Sequence, residues 1–296
     1  MQGLPLGLLL LAAASAQAGE IRGAALSGST LYTWGGELAA WQLPALQRQV
    51  LARARNFGAG GCAADGGLVL QEDDRAILFH PRTLRERVFE TGTRFASCLP
   101  FEIDRRKGIL LTHLDAQLRF YILPGFEVKE LYSIYTASRQ GGLLASDVDN
   151  DGLQDVFFGN YWVKNPGRLD VAWRLFAVNL WHDTPDAALA ALALSGENLL
   201  WAESSAKNAR IALFLKPTDP RQLWIERRLP SLPYPTAFLV NESGIFIGHA
   251  EGVHLLSHAG TVRKRLDTTP SVALVERQGV VYAVSPKGVR AVYRRR

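Results

Sequence analysis

Three aspartates alternate along one short stretch of the chain: Asp147, Asp149 and Asp151. Gly152 follows, then Leu153, Asp155 and the apolar run Val156-Phe157-Phe158. Calcium takes about six to eight hard oxygen ligands, and a tight loop can supply them from alternate residues. At this spacing the three side chains can face one centre, Gly152 permits the sharp turn, and the Leu153 carbonyl and Asp155 complete the set. The pattern therefore predicts a calcium ion held by Asp147, Asp149, Asp151, Leu153 and Asp155. Without a cation these carboxylates would repel one another; a solvated Asp/Gly turn is the alternative. An EF-hand is excluded, because its loop closes on a glutamate between two helices. This chain has Phe158 at that position, inside a strand-like run.

The same residues carry a resemblance. Asp147-Val-Asp149-Asn-Asp151-Gly152-x-x-Asp155, followed by Phe158-Gly159-Asn160, resembles the FG-GAP/VCBS-type repeat of integrin-like β-propellers. The resemblance covers this one stretch, and the Gly-Ala-Pro half of the motif is absent. It implies a turn between the first two strands of a blade. The family includes adhesion proteins, scaffolds and carbohydrate-active enzymes, so it implies a fold more than an activity.

Around this loop, strand-like runs recur between Gly, Pro, Asp and Asn, and helical periodicity is scarce. Even the Ala/Leu-rich Asp186–Leu194 reads as the start of a strand. Self-similarity at a period of ~40 residues predicts a propeller of four-stranded blades. Seven units fit, with six or eight as alternatives. In each, the second strand is a short apolar run, as in Leu68-Val-Leu, Ile109-Leu-Leu and Ile245-Phe-Ile. That is the pattern of a strand buried on both faces. The last unit, from Ser271, has no fourth strand run, and Glu20–Gly23 is expected to supply one and close the ring. Trp41, Trp173, Trp201 and Trp224 fall in strands and read as inter-blade packing.

Aligning the second strands brings Gly35, Glu72, His113, Asn160, Glu203, His249 and Val284 to one level of the ring. Five of these are polar: Glu72, His113, Asn160, Glu203 and His249. They could form a rim site for a ligand or a divalent cation, with Glu72 and Glu203 as acid/base candidates. Polar turn residues meeting water are the plain alternative. His80, His182, His254 and His258 show no metal-ligand pattern. Ser204-Ser205 and Ser257-His258 form no nucleophile elbow, and Gly58-Ala-Gly60-Gly61 precedes a strand, which argues against a nucleotide.

Compartment is read from the first residues. Leu4–Ala14 is apolar and uncharged, and Ala16-Gln17-Ala18 forms a cleavage site, so residues 1–18 read as a bacterial-type export signal and 19–296 as a single domain. An apolar run of that length is too short to span a bilayer, and stable membrane insertion after cleavage is not expected. Cys62 and Cys98 lie 36 positions apart, each read at the start of the first strand in neighbouring units. Their even number in an exported chain permits a disulfide worth about 3–4 kcal/mol in the chain-entropy model. The net charge is +5, but the basic residues are dispersed. Arg294-Arg295-Arg296 reads as a solvated end, so no nucleic-acid partner is expected.

These readings combine into an all-β, seven-bladed propeller, secreted or periplasmic, stabilised by Ca2+. It is expected to bind an extracytoplasmic protein or glycan without catalysis. A lactonase-like hydrolase or polysaccharide lyase working at the channel mouth is the alternative.

Overall fold

The computed structural model describes residues 20–113, 117–133, 142–179, 189–203 and 207–295. Residues 1–18, read above as an export signal, and His182, Ser204-Ser205 and Arg296 lie outside them. Every regular element among the described residues is a strand. No helix there is long and apolar enough to cross a membrane.

The strands form seven antiparallel sheets, each a simple meander. Blade 1 comprises β1 (Ile21–Ser27), β2 (Thr30–Gly35), β3 (Leu38–Gln42) and β4 (Gln47–Ala52). Blade 2 follows with β5 (Phe57–Ala64), β6 (Gly67–Glu72), β7 (Arg75–His80) and β8 (Arg85–Thr91). Blade 3 has β9 (Phe95–Ile103), β10 (Arg106–His113), β11 (Gln117–Ile122) and β12 (Glu127–Ser133). Blade 4, which carries the aspartate loop, has β13 (Leu143–Ser146), β14 (Asp155–Phe158), β15 (Tyr161–Lys164) and β16 (Arg174–Ala177). In blade 5 lie β17 (Leu189–Ser195), β18 (Asn198–Glu203), β19 (Ile211–Leu215) and β20 (Ile225–Arg228). Blade 6 is made of β21 (Pro235–Asn241), β22 (Gly244–His249), β23 (Gly252–Leu256) and β24 (Val262–Asp267). Blade 7 has only β25 (Ala273–Arg277), β26 (Val280–Ser285) and β27 (Gly288–Arg294).

The first strand of each blade lies innermost and touches the first strand of the next, and β25 touches β1, so the ring closes. The second strands are the most buried. All residues of β6, β14, β22 and β26 are buried. The fourth strands are mostly exposed and charged, as in Arg85–Thr91. Burial divides into seven apolar clusters, one between each pair of adjacent blades. Leu31 and Leu43 of blade 1 meet Tyr282 and Val284 of blade 7 in the cluster that closes the ring. The core is therefore a circle of seams, and each blade depends on its two neighbours for burial.

The seam between blades 1 and 2 explains two glycines. Trp34 is buried and donates its indole N–H to the Gly58 carbonyl at 3.1 Å. A Cβ at Gly23 would lie 2.5 Å from this indole, and one at Gly61 2.6 Å from it. Only strands bare of side chains at these points let the ring lie between them.

Three expectations need correction. Glu20–Gly23 does not complete blade 7: Ile21 pairs with Gly35, inside blade 1. No turn separates Gly23 from Ala24, so the chain continues as one inner strand. Cys62 and Cys98 are not at strand starts but within the inner strands β5 and β9, where a disulfide joins them across the seam of blades 2 and 3. Trp173 and Trp224 sit one residue before β16 and β20, not within strands, although both are buried in inter-blade clusters.

Candidate functional site

The aspartate loop joins β13 to β14, and its local folding follows from its composition. Asn150 and Gly152 adopt left-handed backbone angles, φ 59° and 86°, which glycine accepts without strain and asparagine at small cost. That tight path turns amides inward. Asp147 accepts hydrogen bonds from the backbone N–H of Asp151 at 3.1 Å and of Gly152 at 2.9 Å, and Asp151 accepts from Leu153 N–H at 2.9 Å. Asp147, Asp149 and Asp151 each offer an oxygen within 4.8 Å of the others.

Asp155 behaves differently. It is fully buried, and its two oxygens accept from Val148 N–H at 3.0 Å and Asn165 N–H at 2.8 Å. It fastens both flanks of the loop rather than joining the three-carboxylate group. Burial pushes its pKa up to about 6, against the pull of those two amides. Leu153 keeps an exposed side chain on the loop.

A cation missed by the sequence reading stands at the cluster. The Lys164 ammonium, at the end of β15, donates to Asp149 and, at 2.5 Å, to Asp151. Burial, which would lower the Lys164 pKa, is outweighed by these two carboxylates, and the ammonium hydrogen bond holds Asp151 below the usual carboxylate range. The hairpin pairs Val156 with Val163 and Phe158 with Tyr161. Residue 164 is thereby returned beside residue 155, and folding the sequence about Gly159-Asn160 would have found it. One ammonium does not neutralise three carboxylates. The inner oxygen of Asp149, Oδ1, is buried and has no hydrogen-bond partner among the described residues. Hard oxygens, one of them orphaned, around a tight turn fit a calcium ion.

Beside the loop lies a cleft of about 440 Å³ lined by Asp149, Lys164, Arg174, Phe176, Asp219 and Arg221. Its floor is fixed by Pro220, whose carbonyl accepts the indole N–H of both Trp162 and Trp224 at 3.1 Å.

The aligned polar residues do occupy one level of the ring. Gly35, Glu72, His113, Glu203 and His249 end their second strands, Asn160 lies in the β14–β15 turn, and Val284 is one residue short of the end of β26. The five polar members are all buried, between 0 % and 7 % exposed. Glu72 is bound by Arg55 and by Arg75 at 2.6 Å. His113 contacts Thr93 Oγ1 at 2.9 Å and the Tyr121 hydroxyl at 3.1 Å, and Tyr121 in turn donates to Glu90. Asn160 donates to the Asn179 carbonyl at 2.9 Å. His249 pairs with His254 at 2.8 Å. Glu72, His113, Asn160 and His249 are thus held within their own blades or by an adjoining connection. Among the described residues, the aspartate loop is the one group of three or more acidic, His or Cys side chains close enough to share an ion.

No protein-family model matches the chain. No curated protein matches it either. Solved structures do resemble it. The computationally designed protein Ika8 aligns at 13% identity over 94% of this chain and 98% of its own, with a TM-score of 0.57. Sqt1 of Saccharomyces cerevisiae aligns at 11% identity, covering 94% and 96%, with a TM-score of 0.65. The extracellular domain described for a hybrid two-component system of B. thetaiotaomicron aligns at 10% identity with a TM-score of 0.67, covering 94% of this chain and 38% of that one. At these identities the likeness is one of fold.

Proposed function

We propose that the protein is an exported, calcium-stabilised propeller that binds an extracytoplasmic protein or glycan and performs no chemistry of its own. The observation that carries the calcium part is the orphaned Asp149 Oδ1 among three carboxylates within 4.8 Å of one another. A dehydrated carboxylate oxygen with no donor is costly, and a divalent cation removes that cost. When bound, the ion supplies charge neutralisation and a rigid turn. Asp147, Asp149 and Asp151 hold it, and Lys164 yields its contacts with Asp149 and Asp151. Asp155 positions the loop from beneath. The resemblance of this loop to FG-GAP/VCBS-type repeats supports the same reading.

Export is supported by the Cys62–Cys98 disulfide, since such bonds persist in oxidising compartments, and by the apolar segment ending in Ala16-Gln17-Ala18. The binding role is supported by the engagement of the level where the acid/base candidates stand. Glu72, one such candidate, is committed to two arginines.

The test is metal stoichiometry on the purified chain, with calcium and transition metals quantified together. One calcium per chain, lost in Asp149→Ala, is the expected result. A chain that binds no calcium overturns the reading. A transition metal that survives Asp149→Ala and disappears with His113→Ala or His249→Ala would give precedence to a hydrolase or lyase.

A further inference from the structure

Blade 7 ends on β27, and no strand among the described residues pairs with its outer edge. The consequence is visible in its burial. Third strands elsewhere are largely buried, as in Arg75–His80 and Ile211–Leu215, whereas no residue of β27 is. A long, unpaired edge is a template for another strand, and proteins normally pair, cover or charge it. This edge is charged with one sign. Among the described residues Lys287 and Arg294 are exposed and make no ion pair, Arg290 is paired with Asp267 of blade 6, and Arg295 reaches away to Glu242. Across the sheet Arg277 pairs with Val280, and Val280 with Arg294, so both arginines stand in one row on one face. Arg277 Nη1 is buried there without a hydrogen-bond partner among the described residues.

We propose that β27 receives an acidic, extended segment of a partner protein as the fourth strand of blade 7. The segment runs antiparallel to β27 and places a carboxylate beside Arg294, in the row of Arg277. Main-chain hydrogen bonds supply the attachment and the flanking charges the selectivity. Two other occupants fit worse. A second copy would bring its own basic edge against this one. Residues 1–19 contain no Asp, Glu, Lys or Arg, whereas every other outer strand carries at least one charge. The inference deepens the binding-module reading by naming a partner class. It involves no calcium, so failure of either leaves the other standing.

The test is hydrogen exchange and fluorescence anisotropy on the purified chain, its N-terminus read by mass spectrometry. The probe is a peptide of about eight residues, a usual strand length: Asp-Glu followed by Thr-Val pairs. A Lys-Lys version serves as control. The acidic peptide is expected to bind and to slow exchange across Gly288–Arg294, the control is expected to do neither, and Arg294→Glu is expected to weaken binding at least tenfold while leaving the melting temperature unchanged. Unaltered exchange at β27 under saturating acidic peptide overturns the proposal and leaves the charges as guards of the edge. Equal binding of both peptides overturns the charge selectivity. Protection of β27 in a chain that retains residues 1–18, lost when they are removed, overturns it in favour of the chain's own segment.

Discussion

His249 Nε2 lies 2.8 Å from His254 Nδ1, with the two rings stacked at 4.9 Å. The direction of the proton follows from a neighbour. Glu251 N–H donates to His249 Nδ1 at 3.2 Å, so in the neutral ring the proton sits on Nε2 and is donated to His254. A second proton on either Nδ1 has no place, because His249 Nδ1 already accepts from Glu251 and His254 Nδ1 from His249. Burial, then the charges of His254 and Arg265, push the His249 pKa down to about 4, and burial lowers that of His254.

Acid should therefore weaken the fold at this pair in blade 6. Unfolded histidine titrates near 6.5, and between that value and about 4 the unfolded chain binds more protons than the folded one. The contribution is complete above pH 6.5 and is lost as pH falls towards 4, by about 2–3 kcal/mol. Urea unfolding at several pH values should show this acid limb, and His249→Gln should flatten it. Parallel acid limbs in variant and parent would refute the assignment.

The cation at the aspartate loop should be exchangeable. Lys164→Met removes the competing ammonium, so calcium affinity should rise by roughly three- to tenfold, while the calcium-free chain should melt lower because Asp149 and Asp151 lose the ammonium that pairs with both. Calorimetric titration and melting curves with and without chelator measure both. A variant that binds calcium more weakly would mean that Lys164 organises the site.

Removing the cross-link between β5 and β9 should be costly. The bond closes a 36-residue separation, for which the chain-entropy model gives about 3–4 kcal/mol. Cys62→Ala/Cys98→Ala should lose that amount in denaturant unfolding, with little change in the far-ultraviolet spectrum. A loss below about 1 kcal/mol, the scale of an ordinary point substitution, would show that the seam of blades 2 and 3 holds without it.

Gly23→Ala should destabilise by about 1–3 kcal/mol through overpacking. The new methyl would meet the Trp34 indole at 2.5 Å and the Ala59 carbonyl oxygen at 2.6 Å. Gly125→Ala, where nothing lies within 4 Å, is the control and should stay within about 0.5 kcal/mol. Equal effects of the two would remove the steric account of the Trp34 slot.

The blade pattern was legible because its signal is local. Runs such as Leu68–Leu70 and Ile245–Ile247 are continuous because both faces of a second strand are covered, and charges crowd the strands that face water. The aspartate loop was legible for the same reason, since its geometry is set by consecutive residues. Lys164 was hidden because it reaches Asp149 only after a hairpin folds back. His254 was hidden likewise: Ile247 pairs with His254 across the β22–β23 turn, which sets His254 diagonally beside His249. The aligned polar residues were placed at the correct level but given the wrong surroundings. Strand-end positions suggested water, yet all five are buried, and Glu72, His113, Asn160 and His249 serve as internal ties.

The seam between blades 7 and 1 differs in kind from the other six. Elsewhere a peptide connection carries the chain from one blade into the next. Here the two ends of the described chain meet through side-chain packing and contacts such as Ile21 N–H to the Pro286 carbonyl at 2.8 Å. Opening that seam breaks no covalent link, and it turns a circle into a row whose end blades each keep one neighbour. Partial opening should therefore begin there and travel inwards from both ends, with the cross-linked pair of blades 2 and 3 acting as a stop on one side. In this sense the molecule works as a clasp, and the bare edge of β27 lies on the blade that forms one half of it.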